Sequence, residues 1–143
     1  MNENKKTSIP GLKIGDIETE LPIIQGGMSV GISLSELAAS VAEAGGIGVI
    51  GAAGIGMLED DFDTNFKKAN KRALIKEIRK ARQKTDGPIG VNLMVALNDF
   101  GELVSVAVKE KIDLLFLGAG LPLRNIPIEE INRNNTKIVP IVS

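Results

Sequence analysis

Residues 21–28 read Leu-Pro-Ile-Ile-Gln-Gly-Gly-Met, or LPIIQGGM. A short apolar run, of the kind that is buried as a β-strand, ends here in a polar amide, two glycines and a methionine. A chain that leaves its core through glycines either needs an unusual turn or keeps its backbone bare for a flat ligand. The pattern around this stretch determines the fold class.

The stretch is the first of five apolar runs that alternate with helical patterns. The runs predict strands over residues 22–25, 47–50, 89–94, 114–117 and 138–142. Apolar periodicity predicts helices beginning near Ser33, Thr64 and Asp99, and Pro127 is placed to start a short fourth helix. This alternation predicts a parallel sheet covered by helices, and the nearly continuous apolar strands indicate burial on both faces.

Two of the helix starts have the residues of a side-chain cap. Ser33 and Glu36 have the spacing of a capping box, and Asp99 with Glu102 suggests a second capped start. Gly45 is placed to end the first helix.

Two architectures fit the alternation: an open doubly wound sheet, and the first half of a (β/α)₈ barrel, which takes about 250 residues in full. The chain stops at the end of an apolar strand with no helix to cover it, which favours the half-barrel of about five parallel strands. We therefore expect an N-terminal extension with a hairpin over residues 1–20 and a partial TIM barrel over residues 21–143.

Composition removes several classes of function. The chain has no cysteine, histidine, tyrosine or tryptophan, so disulfides, thiolate metal sites and the usual base near neutral pH are excluded. The net charge of −1, without a basic block, argues against nucleic-acid binding. No apolar run reaches the roughly 20 residues of a membrane helix, so a cytoplasmic protein is expected. Because the chain has neither cysteine nor histidine, no metal site is expected.

Residues 46–51 match the pattern G-x-G-x-x-G, but their position does not suit a dinucleotide site. That fingerprint follows a strand and opens a helix, whereas these glycines lie before and within a predicted strand. Close packing of a helix against the strand explains them better.

Small or polar residues follow the predicted strands at the carboxyl edge, where parallel α/β proteins place their sites. They are Gln25, Gly26, Gly27 and Met28 after the first strand, residues 51–54 after the second, Asn92 within the third, and residues 118–120 after the fourth. Glycines at such corners usually serve turn geometry, and Asn92 could bond loop backbone. Their coincidence on one edge favours a planar ligand, with the Asn92 amide meeting the polar edge of a heterocycle.

The order LPIIQGGM, ELAASVAEAGGIGVIGAAGIG, GVNLMVAL and GAGLP resembles the nitronate monooxygenase (2-nitropropane dioxygenase) family of FMN-dependent (β/α)₈ barrels. The resemblance covers roughly residues 22–143. The sequence is also similar to flavin-dependent enoyl-acyl-carrier-protein reductases, which share the QGGM opening and the AGGIG turn.

The resemblance implies an FMN site formed by seven residues. They are Gln25, Gly26, Gly27, Met28, Asn92, Gly118 and Ala119, with no catalytic residue among them. The family's catalytic histidine and its phosphate grip lie after later strands, so the chain is expected to be an N-terminal fragment, inactive alone. The implied activity of the whole enzyme is oxidation of nitronates or nitroalkanes by FMN and dioxygen.

Three alternatives to this reading remain, and the second of them belongs to a different class of function. An enoyl reductase would use NAD(P)H to reduce FMN and then an enoyl thioester. A non-catalytic half-barrel would act only with a partner chain, as a homo-oligomer or with a missing C-terminal half, to close its strand edges. A flavodoxin-like module is disfavoured, since nothing resembles its phosphate loop.

Overall fold

The computed structural model describes residues 9–120 and 126–142 of the 143-residue chain. Leu121 and Pro122 of the GAGLP motif lie outside the described residues. The elements are β1 (Leu12–Ile14), β2 (Ile17–Thr19), α1 (Ser35–Glu43), β3 (Gly48–Gly51), α2 (Phe62–Lys84), β4 (Ile89–Met94), α3 (Phe100–Lys109), β5 (Leu114–Gly118), α4 (Ile128–Arg133) and β6 (Lys137–Pro140).

The main sheet has the strand order β3-β4-β5-β6, and every neighbouring pair is parallel. The strands follow chain order without the reversal that defines a doubly wound sheet. All four helices contribute to one apolar cluster on one face of the sheet. Its helical members are Ala38, Ala42, Ala73, Leu74, Ile78, Ala81, Phe100, Leu103, Val104, Ala107, Val108 and Ile131. A sheet covered by helices on one side only is the wall of a barrel, which confirms the partial TIM barrel and excludes the doubly wound alternative.

The opposite, inner face carries a second and smaller apolar cluster. Ile47, Val49, Leu114 and Phe116 are buried there against the hairpin formed by β1 and β2. An ion pair of 2.5 Å between Lys137 and Asp16 ties the hairpin to the start of β6. The hairpin therefore covers the inner face near the amino ends of the strands.

The predicted first strand is only partly formed. Residues 22–25 make an isolated parallel bridge, Ile24 to Ile47, and no named strand, so the described sheet has four parallel strands instead of the predicted five. The Ile47 amide donates to the Ile23 carbonyl over 2.9 Å, and Ile47 accepts from the Gln25 amide over 3.0 Å. The main-chain ladder stops there because Gly26 and Gly27 leave the sheet.

The last predicted strand is also shorter than expected. The strand β6 ends at Pro140, whereas the prediction ran to Val142. Ile141 and Val142 follow the strand as exposed residues.

The glycines of the G-x-G-x-x-G stretch allow close packing. A Cβ on Gly48 would lie 1.8 Å from the carbonyl oxygen of Ala38 in α1, and one on Gly51 would lie 2.4 Å from that of Met28. No side chain fits at either position. Close packing of β3 against α1 at Gly48 and against the Met28 loop at Gly51, and not dinucleotide binding, explains this stretch.

The predicted capping box of α1 is wrong. The N-cap position is Leu34, without a side-chain cap, and Glu36 pairs with Lys84. The helix start is instead closed by Glu77 of α2, whose carboxylate accepts from the Ser35 amide over 3.0 Å and from the Ser35 hydroxyl over 2.5 Å. Burial works against the charge of Glu77, but the bonds from Ser35 and from Lys80 outweigh it and lower the Glu77 pKa.

The start of α3 is where it was predicted, but its cap is not. Asp99 occupies the N-cap position and makes no side-chain bond to the helix. Its buried carboxylate accepts from the Asn70 amide over 2.8 Å, and Asn70 in turn accepts from the Gly56 amide over 2.8 Å. Both capping predictions failed because of partners distant in sequence. At α1, Glu77 accepts the hydrogen bonds of the helix start, and at α3, Asn70 takes the carboxylate of Asp99.

Candidate functional site

A cavity of about 220 Å³ opens on the inner face at the carboxyl edge of the sheet. Binding pockets for whole small molecules span about 300–1,000 Å³, so this cavity has room for only part of such a molecule. It is lined by Ile24, Gln25, Gly26, Gly27, Val49, Asn92, Phe116 and Ile141. None of these side chains carries a charge, which suits a flat, largely apolar group with polar edges.

The first wall of the cavity is the bare backbone of two glycines. A Cβ added to Gly26 would meet no atom within 4 Å, so the space beside it is open. A Cβ on Gly27 would lie 2.4 Å from the Asn92 Cβ. Within the described residues, neither glycine amide has an acceptor. These two donors are available to a ligand.

The second wall is Asn92 in the middle of β4. Its strand neighbours are Gly51 on β3 and Phe116 on β5. The Asn92 Nδ2 donates to the Gly27 carbonyl over 2.9 Å. No donor in the described part of the chain reaches its Oδ1, and the residue is half-buried. Asn92 therefore fixes the glycine loop with one end of its amide and leaves an acceptor for a ligand.

The side chain of Gln25 lines the cavity but is engaged with the protein. Its Nε2 donates to the Val49 carbonyl over 3.0 Å and to the Ser33 hydroxyl over 3.1 Å, while Oε1 accepts from the Val49 amide over 3.2 Å. The sequence suggested that Gln25 contacts a ligand. In the structure its side-chain amide bonds the main chain of Val49.

The remaining predicted residues lie at the same edge but outside the cavity lining. Met28 is half exposed on the loop that follows the glycines. Gly118 ends β5 opposite Met94, and a Cβ there would only touch Ile141 at 3.5 Å. Ala119 is exposed and has a φ of +57°. The structure thus brings together four of the seven predicted residues.

Sequence reasoning missed the apolar side of the cavity. Val49, Phe116 and Ile141 line it, and Phe116 is the register partner of Asn92. Strand alternation could have identified Phe116, because Leu114, Phe116 and Gly118 share the inward parity. Ser33 was missed because its position suggested a helix cap.

Other features of the described residues do not involve the glycine loop or Asn92. They contain no group of three or more acidic, histidine or cysteine residues that could hold a metal ion. A cavity of about 520 Å³ lies beside α3, between Asn98, Glu102 and Pro127, and includes none of the glycine loop. Among the described helices, none is long and apolar enough to cross a membrane.

Fold and cavity together define a barrel-type α/β protein with a candidate ligand site on the carboxyl edge of its inner wall. The family model of nitronate monooxygenase matches residues 11–122. The chain therefore belongs to the nitronate monooxygenase family.

Solved structures give a second comparison. FabK from Thermotoga maritima matches with a TM-score of 0.68 and 37% identity, covering 87% of this chain and 35% of that one. A mutant of the same protein matches equally, with 36% of its chain covered. The chain thus spans about a third of the length of these structures. No curated protein matches it.

Proposed function

We propose that this chain forms the flavin-positioning wall of an FMN-dependent oxidoreductase. The observation that carries the proposal is the open space beside the Gly26 backbone, next to two glycine amides and an Asn92 Oδ1 that have no partner among the described residues. An isoalloxazine ring is planar and has both donors and acceptors along one edge. Donors and an acceptor beside an open, uncharged surface fit it.

The assignment of individual residues follows their geometry. Gly26 and Gly27 would offer amide donors to the ring, and the Asn92 Oδ1 would accept from a ring or ribityl donor. Phe116 and Val49 would exclude water from the inner side. Met28, Gly118 and Ala119 would border the ring at the sheet edge. When bound, FMN supplies the capacity to accept and pass on electrons.

For the whole protein we propose oxidation of a small nitronate with dioxygen, the activity that gives its family its name. The chain contains no histidine, and the uncharged cavity lining contains no credible base. The proton-abstracting group and the phosphate grip are therefore supplied by strands or chains outside the described wall. The 143-residue chain alone is expected to bind FMN weakly and to turn over no substrate.

Reduction of an enoyl thioester with NAD(P)H is a second candidate. The 37% identity with FabK favours it, since FabK is a flavin-dependent enoyl-ACP reductase. Both candidates need the same flavin wall, so the geometry of Gly26 and Asn92 supports them equally. A cytoplasmic location and the absence of nucleic-acid partners remain predictions for either activity.

The native protein from its source cells tests both levels of the proposal. The cofactor released on denaturation is identified by mass and absorption, and a protein without flavin would overturn the proposal. Oxygen consumption with a nitronate and no nicotinamide would select the first activity. NADH oxidation that depends on an enoyl thioester would select the second.

A further inference from the structure

The side chain of Gln25 ends the main-chain hydrogen bonding between residues 22–25 and the segment that begins at Ile47. Ile47, just before β3, bonds to the main chain of Ile23 and Gln25. Two residues on, at Val49, the Gln25 side-chain amide donates and accepts where the next peptide group of a parallel strand would. The main chain after Gln25 is thereby released from the sheet, while Val49 keeps its hydrogen bonds.

Ser33 holds the released segment from the other side. Its fully buried hydroxyl donates to the Gly26 carbonyl over 3.1 Å and accepts from the Met28 amide over 2.9 Å and from Gln25 Nε2 over 3.1 Å. A serine hydroxyl has one donor and two acceptor positions, so its hydrogen-bonding capacity is complete.

We propose that Gln25 and Ser33 act as a clamp that fixes the Gly26–Met28 backbone in its ligand-receiving conformation. The clamp bonds the Gly26 carbonyl and the Met28 amide, which flank the Gly27 amide, and the Gly26 amide lies just before them; neither glycine amide has an acceptor in the described residues. Glycines alone would leave this segment free to move, and fixing it beforehand removes the ordering cost of binding. Gln25 and Ser33 are thus positioning residues, and the flavin part of the inference rests on the proposed function.

The test compares Ser33→Ala with Ser35→Ala in this chain. Ser35 is the matched control because its hydroxyl is also buried and hydrogen-bonded, but through a single bond to Glu77 on the helix side. Amide hydrogen exchange of Met28 is measured by NMR without flavin, and the FMN dissociation constant by titration.

The clamp predicts that Ser33→Ala raises the Met28 exchange rate at least tenfold above the rate set by global unfolding. It also predicts a dissociation constant about tenfold higher, which corresponds to about 1.4 kcal/mol. Ser35→Ala should lower global stability and change neither quantity at fixed folded fraction. Equal behaviour of the two variants would overturn the clamp.

A second variant and a separate readout keep the test decisive. If Ser33→Ala does not fold, Gln25→Met keeps the side-chain length, removes the amide, and carries the same expectations. If the unmodified chain binds no FMN at millimolar concentration, the flavin assignment to this chain fails. The Met28 exchange rates then still decide whether the clamp exists.

Discussion

Replacing Gly26 by alanine is expected to change the stability of the fold and the affinity for FMN in opposite directions. The new Cβ meets no protein atom within 4 Å, and the backbone there is outside the left-handed region. Alanine in place of glycine at such a position stabilises a protein by about 0.4–1 kcal/mol through the unfolded state. The thermal midpoint of the apoprotein is therefore expected to rise by about 1–4 °C.

The ligand is expected to respond in the opposite direction. A ring in contact with Gly26 lies about 3.5–4.0 Å from its backbone, so the methyl group occupies the same space. Overpacking of this kind costs about 1–3 kcal/mol. The FMN dissociation constant should rise about 5- to 150-fold.

The assay combines differential scanning calorimetry of the apoprotein with a fluorescence titration of FMN. Gly27→Ala is the contrasting variant, because its Cβ would lie 2.4 Å from the Asn92 Cβ and should destabilise the fold itself. An unchanged dissociation constant in Gly26→Ala, with the fold intact, would refute the placement of the ring against Gly26.

Three further changes test the fold and the site. Gly48→Ala places a Cβ 1.8 Å from the Ala38 carbonyl oxygen and should cost about 3 kcal/mol, seen as a lower urea midpoint; an unchanged midpoint contradicts the packing. Because the Glu77 pKa is lowered in the fold, its stabilisation is present above the ordinary value of 4.5 and is lost as pH falls through the lower folded value. Glu77→Gln should therefore lower the unfolding midpoint at pH 7 and flatten its fall between about pH 5 and 3, and parallel pH curves for the two proteins would count against this. Asn92→Ala removes the donor to the Gly27 carbonyl and should cost about 1 kcal/mol of stability and about tenfold in FMN affinity, measured as above; full affinity would remove the residue from the site.

The parallel α/β architecture could be predicted because it depends on local patterns. Apolar runs such as residues 89–94 and 114–117 are largely buried and coincide closely with β4 and β5. Pro127 likewise precedes α4, because its fixed φ suits the start of a helix.

Hydrogen-bond partners distant in sequence could not be predicted. Ser33 has the local sequence of a helix cap, yet its hydroxyl is used by Gly26, Met28 and Gln25. The true partner of the α1 start, Glu77, is 42 positions from Ser35. Local spacing identifies residues able to cap a helix, and tertiary packing decides which of them does.

The candidate site shows the same division. Small residues at strand ends located the carboxyl edge correctly, because that edge follows from the parallel order. A full first strand was predicted where the structure has a single bridge. The sequence around Gln25 does not show that its side chain takes the place of a main-chain peptide group in bonding Val49.

The hairpin of β1 and β2 has a consequence for the order in which ligands can bind and leave. It lies against Ile47, Leu114 and Phe116 and is tied by Asp16 to Lys137, so the amino end of the inner face is stoppered. In the proposed flavoprotein, FMN and a substrate would then both enter from the carboxyl edge. In a blind-ended well the molecule that sits deeper must arrive first and leave last, so a tightly held occupant stays through many exchanges of the one above it.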